Sequence, residues 1–402
     1  MTLLACSHLW QPLGSKHCKI RVPPPIQRQF TKSPSALEFS IEHHEWLDLT
    51  GPPKKKMTEL FTNIASQDHL EFAFGDSSYA NQLAISTSKS KQVCAVSVFL
   101  FPTHLLVEHN FVFMGGSLGC AEGEKICLAF ELAISKSLGI IVVSKTGGAR
   151  MQEGTSSLMQ MAKISVAVNA LRQSHLPFVS ILTDPTFGGV PASYAMQGDV
   201  RIVIKGARVG FAGPQVILTT IYKNDQDAYD LEQPSDFQRS SYLLACGQVD
   251  MEVADVQQAK SLAVEICELV CAKSSLSPPP PPPPPPSSYI IPKSDFDFTR
   301  SRQITRFQTQ DAFTTLFTSF HELSGDGRIS ADVCLKGGLA SFHGTPCIIM
   351  GTMKGHTVGE LEAHNHGMPS PHGYRFATRL FEVSERSRAS LLEDEKFNTS
   401  HY

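Results

Sequence analysis

Three segments between residues 111 and 190 read FVFMGGSLG (111–119), GIIVVSKTGGARMQEG (139–154) and FVSILTDPTFGGV (178–190). Each segment is an apolar run that contains a pair of glycines, and a helix-like segment follows each pair. Glycine lets the backbone turn tightly and approach a ligand closely. A strand that ends in glycines before a helix also directs backbone N–H groups towards one point. The pattern therefore predicts an acyl- or carboxyl-transfer enzyme whose backbone amides stabilise a developing oxyanion.

The segments around these glycines alternate between strand and helix patterns. We expect buried strands over residues 139–144, 177–183 and 200–204, where β-branched and other apolar residues run continuously. Amphipathic spacing predicts helices over 120–137 and 156–173. Further expectations are strands over 93–101 and 105–113, short helices over 57–64 and 79–85, helices from 191 and from 214, and a helix over 254–273. This order is typical of an α/β protein.

The chain after residue 273 repeats part of this order. Nine consecutive prolines at 278–286 predict a polyproline II spacer within a linker over 274–294, with docking of an SH3- or WW-type domain as the alternative. We then expect a helix over 311–323, strands over 333–342 and 346–351, and a helix over 373–390. The strand–turn–strand–glycine order echoes residues 93–116, which suggests that both halves share one ancestral fold.

Composition excludes several classes of protein. A net charge of -3 over 402 residues gives no reason to expect nucleic acid as a partner, and no apolar run is long enough to predict membrane insertion. The ten cysteines form no C-x-x-C pair, which favours neither a zinc ribbon nor a disulfide framework and is consistent with a reducing compartment. Residues 1–40 contain basic residues before the first acidic one, so they are either disordered or similar to a transit peptide.

Two local motifs permit more than one interpretation. Ser117 lies in a G-x-S-x-G sequence between a strand and a helix, as a hydrolase nucleophile does, and Asp184 has a suitable place for the acid. The repeated glycine pairs explain this sequence without a nucleophile. Arg150 could offer its charge to a phosphate, thioester or carboxylate group. Alternatively, Gly147 and Gly148 only make a tight turn and Arg150 flanks the next helix at the surface.

Longer motifs resemble the carboxyltransferase β subunit of multi-subunit acetyl-CoA carboxylase over residues 111–252 and the N-terminal part of the α subunit over 295–388. The β-like motifs are FMGGSLG (113–119), TGGARMQEG (146–154), SLMQMAK (157–163), LTDPTFGGV (182–190), GFAGP (210–214) and FQRSSYLL (237–244). The α-like motifs are DAFTTLFTSFHELSGD (311–326), GGLASFHGTPCIIMG (337–351), MKG (353–355) and GMPSPHGYRFATRL (367–380).

The resemblance implies an α/β, crotonase-like (ClpP/crotonase) superhelical fold. We expect an N-terminal segment over 1–40, a near-complete β-type domain over 41–273, the linker over 274–294, a truncated α-type domain over 295–390 and a tail over 391–402. In such a fold the two halves together form the channel for the acyl-CoA and for biotin.

The implied reaction moves CO2 from carboxybiotin to acetyl-CoA and gives malonyl-CoA for fatty acid synthesis. The resemblance assigns the oxyanion hole to Gly188 and Gly189 as catalytic residues. It assigns substrate binding to the other glycine pairs and their neighbours, namely Gly115, Gly116, Gly147, Gly148, Ala149 and Arg150. No side-chain nucleophile is needed.

No metal and no directly bound cofactor is expected, because carboxybiotin would be presented by another protein and the family's zinc ribbon is absent. The implied partners are the carboxyltransferase α subunit, the biotin carboxyl carrier protein and biotin carboxylase, which would use the ATP, within a homo- or hetero-oligomer. The expected compartment is the cytoplasm, with the plastid stroma or another organelle as the alternative.

Departures from the family pattern keep other functions open. The α-like half lacks the later Gly-rich loops of the second oxyanion hole, and GELEAH (359–364) replaces a basic run. Activity could therefore need a separate α chain. The alternatives are another crotonase-fold acyl-CoA enzyme, such as a hydratase or thioesterase, and a non-catalytic subunit.

Overall fold

The computed structural model describes residues 42–44, 57–75, 77–271, 307–342, 344–387 and 390–393. The expectations for the N-terminal segment over 1–40 and for the polyproline linker over 274–294 lie outside the described residues. The division of the chain into domains stays a prediction.

A mixed sheet of nine strands organises the first half. Its strands are β1 (Glu42–His44), β2 (Met57–Leu60), β5 (Val96–Leu100), β6 (His104–His109), β7 (Gly139–Thr146), β8 (Phe178–Phe187), β9 (Val200–Ile204), β10 (Val209–Gly210) and β11 (Met251–Val253). A separate hairpin joins β3 (Ala73–Phe74) to β4 (Ser77–Ser78). The main order is β1-β2-β5-β6-β7-β8-β9-β11, and β10 pairs with β8. The strands from β6 to β11 in this order are parallel, whereas β1, β2, β5 and β6 pair antiparallel.

Eight α-helices accompany this sheet in the described part of the first half. They are α1 (Tyr79–Ser90), α2 (Cys120–Lys136), α3 (Gly154–Gln173), α4 (Gly189–Ser193), α5 (Pro214–Thr220), α6 (Gln226–Glu232), α7 (Ser240–Ala245) and α8 (Val256–Cys271). The predicted helices over 120–137, 156–173 and 254–273 are confirmed as α2, α3 and α8. The predicted strands over 139–144, 177–183 and 200–204 are confirmed as β7, β8 and β9.

Residues along β7 alternate between two hydrophobic cores. Ile140 and Val142 pack with α2 and α3 on one face. Ile141 and Val143 pack on the other face with α8 and with apolar residues of the second half. Both faces of the strand are therefore buried, which explains why its sequence is continuously apolar rather than alternating.

The second half forms a four-stranded sheet that packs on the first half. Its elements are α9 (Thr309–Thr315), β12 (Thr318–Leu323), β13 (Leu335–Phe342), β14 (Thr345–Thr352), α10 (Val358–Ala363), α11 (Pro371–Ser387) and β15 (Ser390–Glu393), with the strand order β12-β13-β14-β15. Leu339, Ile348 and Leu380 belong to the same core as Ile141 and Val143 of the first half. The two halves thus share a hydrophobic core.

Two predicted helices are wrong. Residues 57–64 contain the strand β2, which pairs with β1 and β5. The helix predicted over 311–323 ends at Thr315, and Thr318–Leu323 is a strand that pairs with β13. In both places pairing with a distant strand outweighs the local sequence preference. A parallel strand, Ser390–Glu393, also follows the last helix.

Candidate active site

The three glycine pairs meet at the carboxyl ends of β7 and β8. Gly147 donates its N–H to the carbonyl oxygen of Gly115 at 2.9 Å. A Cβ atom placed on Gly188, whose φ is +73°, would lie 2.7 Å from the Cα of Gly148. A side chain at Gly188 would therefore be strained and would collide with backbone, so the contact between the two loops requires glycine there.

Most backbone donors of these pairs are already used within the protein. Four of the six N–H groups have protein acceptors: Gly116 donates to Phe113 O, Gly147 to Gly115 O, Gly148 to Thr146 Oγ1 and Gly188 to Phe211 O, at distances from 2.9 to 3.0 Å. Among the described residues, none accepts a hydrogen bond from the N–H of Gly115 or Gly189.

The two predicted oxyanion-hole residues, Gly188 and Gly189, differ in their backbone hydrogen bonds. Gly188 sets the shape of the loop, because its N–H is bonded to Phe211. The N–H of Gly189, at the start of α4, has no hydrogen-bond acceptor among the described residues. A Cβ atom built on Gly189 would lie 2.4 Å from the Sδ of Met161. The side chain of Met161 therefore packs against Gly189.

The surface beside the glycine pairs includes large exposed apolar side chains. Gly147 is exposed, whereas Gly115, Ala149 and Gly188 are half-buried. Four large apolar side chains next to these loops have exposed fractions from 38% to 73%. They are Phe111, Val112, Met151 and Phe211. Large exposed apolar side chains beside a candidate site are a feature of ligand grooves and of protein interfaces.

Arg150 lies in the interior and not at this surface. Its side chain is 1% exposed. The guanidinium donates to Glu122 at 2.7 Å and to Glu153 at 3.2 Å, and also to Ser117, Ser66 and Tyr79. The structure therefore does not support the prediction that Arg150 offers its charge to a substrate, because its donors are occupied by protein acceptors.

The charges around Arg150 fix its protonation state. Burial alone would lower the pKa of Arg150, but the neighbouring carboxylate of Glu122 raises it above its ordinary value. Burial opposes ionisation of Glu153, yet hydrogen bonds from Tyr79 and Cys120 hold its pKa below the ordinary value. Arg150 thus positions the loop at Ser117 and the start of α2 as a buried cation. Its partner Glu122 lies 28 residues away in sequence, so spacing along the chain does not reveal it.

A hydrolase arrangement at Ser117 is not formed. The Oγ of Ser117 accepts a hydrogen bond from Arg150 Nε at 3.0 Å, and no histidine of the described residues bonds to it. Asp184 is paired with Arg208 at 2.8 Å, and this hydrogen bond lowers the pKa of the carboxyl. Neither residue has the partner that nucleophilic catalysis requires.

The second half contacts the first half away from the glycine pairs. Five of the six glycines have atoms within 4 Å of a Cβ built on them, and the nearest of these atoms all belong to the first half, whereas Gly115 has none. Contacts between the halves instead involve the amino ends of β8 and β9, for example Arg379 Nη2 to Asp199 O at 3.0 Å. The described contacts between the two halves therefore do not form, at the glycine pairs, the channel that the family resemblance implies.

One group of side chains near the site has metal-ligand chemistry. Potential ligand atoms of His69, Cys120 and Glu153 lie within 4.8 Å of one another. Burial, together with a hydrogen bond to Glu153, raises the pKa of the Cys120 thiol to about 12. The expectation that the chain binds no metal stays a prediction. No helix in the described part of the chain is long and apolar enough to cross a membrane.

Known protein sequences resemble this chain over most of its length. The acetyl-coenzyme A carboxylase carboxyl transferase subunits beta/alpha of Salinispora tropica are 42% identical over 303 residues, which cover 73% of this chain and 52% of that protein. The protein of the same name from Natranaerobius thermophilus is 32% identical, over 83% of this chain and 57% of that protein. The chain thus spans about half the length of these curated relatives.

Solved structures show the same fold at lower identity. A transcarboxylase 12S, described with its hexamer assembly, matches with a TM-score of 0.56 at 18% identity, over 74% of this chain and 54% of that one. A single-chain, multi-domain long-chain acyl-CoA carboxylase matches with a TM-score of 0.51 at 17% identity, over 72% of this chain and 26% of that one. These carboxyltransferases have the crotonase-like fold, so the predicted α/β fold class is confirmed.

A family model matches the second half. It is described as acetyl co-enzyme A carboxylase carboxyltransferase-like and covers residues 296–393. The sequence relatives join beta and alpha regions in one protein, as the motifs on either side of the proline run imply. Residues 296–393 belong to the carboxyltransferase-like family of acetyl-CoA carboxylase, and the chain as a whole is similar to the beta/alpha carboxyl transferases named above.

Proposed function

We propose that this chain is a carboxyltransferase component of acetyl-CoA carboxylase, which forms malonyl-CoA from acetyl-CoA. The observation that carries the proposal is the meeting of three glycine pairs at the carboxyl ends of β7 and β8, with the N–H of Gly189 left without an acceptor among the described residues. Homology to carboxyl transferases supports the same reaction. The chain's own contribution would be electrostatic, through backbone amides.

In this proposal Gly189 acts on the thioester of acetyl-CoA. Removal of a proton from the methyl group places negative charge on the thioester oxygen, and the N–H of Gly189 donates to that oxygen. Carboxybiotin, presented by a partner, would supply the CO2 and, once the CO2 has left, a ureido nitrogen that could take the proton. The α-carbon bonds to CO2, and the thioester carbonyl is restored. Gly147, Ala149 and the apolar side chains beside them would hold the arm of the substrate and exclude water.

The opposite wall of the site would come from another chain. The glycine pairs have only first-half atoms nearest to them, and the apolar surface beside them is exposed. We therefore propose a carboxyltransferase α subunit or a second copy as the partner at this surface, with the biotin carboxyl carrier protein and biotin carboxylase completing the complex. The cytoplasm is the proposed compartment, or an organelle if residues 1–40 direct import.

The test compares Gly189→Pro with Gly189→Ala. Both substitutions add a Cβ beside Met161, but only proline removes the N–H, and proline is tolerated at the first position of a helix. Both are made together with Met161→Ala, which clears the space for the Cβ. The assay measures decarboxylation of malonyl-CoA with free biotin in the presence of a complete α subunit. We expect Gly189→Pro to be slower than Gly189→Ala by about 10²- to 10³-fold.

Equal rates for the two variants would refute the role of Gly189. If the unsubstituted chain stays inactive even with the α subunit, the chain is a non-catalytic subunit instead. A hydratase or thioesterase would need a free carboxylate over the substrate. The carboxylates named at this site, Glu122, Glu153 and Asp184, are each paired with an arginine.

A further inference from the structure

A cavity of about 410 Å³ lies between the two halves, and arginines line it. Its volume is within the range of about 300–1,000 Å³ that is usual for small-molecule sites. Two of the arginines belong to the first half and four to the second half: Arg172, Arg201, Arg328, Arg375, Arg379 and Arg386. We call this space the arginine cavity.

Carboxylates balance only part of this positive charge. Asp199, Asp326 and Glu382 line the arginine cavity, and the buried Asp250 accepts hydrogen bonds from Arg201 and Arg379. Six guanidinium groups therefore face four carboxylates. Asp326 is fully engaged, because one oxygen accepts three backbone N–H groups and the other accepts from Arg375 at 2.8 Å.

Several guanidinium N–H groups in the arginine cavity lack a hydrogen-bond partner. Arg201 is 4% exposed, and its Nη2 has none among the described residues. The Nε atoms of Arg172 and Arg386 are also buried without a hydrogen-bond acceptor. Arg386 Nε lies 3.4 Å from Asp199 Oδ1, close enough for an ion pair but not aligned for a hydrogen bond. Buried donors without acceptors are costly, so an anion that accepts them would be stabilised.

Electrostatics point to the same ligand class. Burial, and after it the neighbouring cation Arg379, lowers the pKa of Arg201 to about 10, and an anion beside the guanidinium would favour its charged form. Guanidinium groups match the oxygens of a phosphate in a two-pronged geometry, and several arginines can share one polyphosphate. A cationic ligand would repel these guanidinium groups and could not accept hydrogen bonds from their unpartnered N–H groups.

We propose that the arginine cavity binds a phosphate-bearing anion that bridges the two halves. The anion would accept hydrogen bonds from Arg201 of the first half and from Arg328 and Arg386 of the second half. The source is either a free polyphosphate or the phosphate groups of a coenzyme A ester. The cavity lies near Asp199 and the start of β8, whereas the glycine pairs follow the end of that strand, about 30 Å away at roughly 3.3 Å per residue. The site is therefore separate from the proposed active site and does not depend on it.

The test uses the full chain and inorganic pyrophosphate in titration calorimetry at constant ionic strength. Arg328→Gln is the main variant, because Arg328 is exposed and its guanidinium makes no hydrogen bond to the described residues, so the fold should persist. Arg386→Gln is the second variant. The matched control is Arg239→Gln, an exposed arginine outside the arginine cavity. We expect one site per chain, about tenfold weaker binding in each cavity variant and unchanged binding in the control.

Coenzyme A is added as a competitor to distinguish the two sources. Displacement of pyrophosphate by coenzyme A assigns the site to an ester of coenzyme A, and no displacement assigns it to free polyphosphate. The double variant Gly189→Pro, Met161→Ala is included and should bind pyrophosphate normally, which keeps this result distinct from the test of the active site. Absence of saturable binding to the unsubstituted chain, or equal weakening in Arg239→Gln, would overturn the proposal.

Discussion

Arg150 brings a positive charge into the interior, where Glu122 and Glu153 balance it. Both ion pairs are almost completely shielded from solvent. Breaking a buried pair by removing one partner leaves an uncompensated charge and costs about 3–5 kcal/mol. We therefore expect Arg150→Met to lower the free energy of unfolding by at least that amount, measured by urea denaturation.

The control for Arg150 is an arginine with an exposed carboxylate partner. Arg208 pairs with Asp184, and both side chains are 44% exposed. An exposed pair contributes about 0–1 kcal/mol, so Arg208→Met should change the free energy of unfolding little. Adding Glu122→Gln to Arg150→Met should recover part of the loss. Equal costs for the two arginine substitutions would mean that burial does not decide the role of Arg150.

His109 is the last residue of β6 and connects three elements. Its Nε2 lies 2.7 Å from the hydroxyl of Tyr194, and its Nδ1 lies 3.3 Å from the carbonyl oxygen of Gly116. In the neutral ring Nδ1 donates to the carbonyl and Nε2 accepts from the hydroxyl. Burial lowers the pKa of His109 from 6.5 to about 4, because the interior disfavours the charged ring.

This shift predicts a loss of stability in acid. The unfolded chain binds a proton near the ordinary pKa, whereas the folded chain keeps His109 neutral until about pH 4. The free energy of unfolding should therefore fall as the pH falls through this window, by about 2 kcal/mol between about pH 7 and about pH 5 for this residue. We expect His109→Gln to flatten the dependence, measured by urea denaturation at both pH values.

His104 limits how much of the pH dependence the substitution of His109 can remove. Burial also lowers the pKa of His104 to about 4, so part of the pH dependence should remain in His109→Gln. His104→Gln should flatten the dependence in the same direction, because burial lowers the pKa of His104 as well. An unchanged slope in His109→Gln would show that the ring is charged in the folded protein.

Sequence patterns identify elements where local and tertiary preferences agree. The run Ile140, Ile141, Val142, Val143 is continuously apolar, and the strand is buried on both faces as that run predicts. The pattern misleads at Phe313, Phe317 and Phe320, whose spacing fits one helix. In the structure Phe313 lies on α9 and Phe320 on β12, yet their rings are 5.1 Å apart. These phenylalanines share a hydrophobic core, but they do not lie on one helix.

At the candidate site, too, the sequence predicts the features that depend on local patterns but not those that depend on distant contacts. The glycine pairs follow strand ends, so their convergence at one edge of a parallel sheet can be predicted from the strand pattern. The strand pattern does not predict which N–H groups remain without an acceptor. Gly188 donates to Phe211, and Phe211 is brought next to Gly188 by the pairing of β10 with β8. The distinction between Gly188 and Gly189 requires the three-dimensional structure.

The contact between the halves determines how the whole molecule unfolds. A shared hydrophobic core predicts one cooperative unfolding transition in calorimetry. The halves also touch directly through backbone, since a Cβ on Gly325 would lie 2.2 Å from the Cα of Gly247. We expect Gly325→Ala to separate the halves and to lower the free energy of unfolding by several kcal/mol, or to divide the single transition into two.

Gly344→Ala is the matched control for Gly325→Ala. Gly325 and Gly344 have similar positive φ angles of +75° and +82°, but a Cβ on Gly344 has no atom within 4 Å. Alanine at Gly344 should therefore cost only the backbone strain, about 1–2 kcal/mol, and should keep the single transition. The excess cost at Gly325 measures the contact between the halves, because the strain is common to both. If both variants lose the same stability and neither changes the number of transitions, the backbone contact at Gly247 does not hold the halves together.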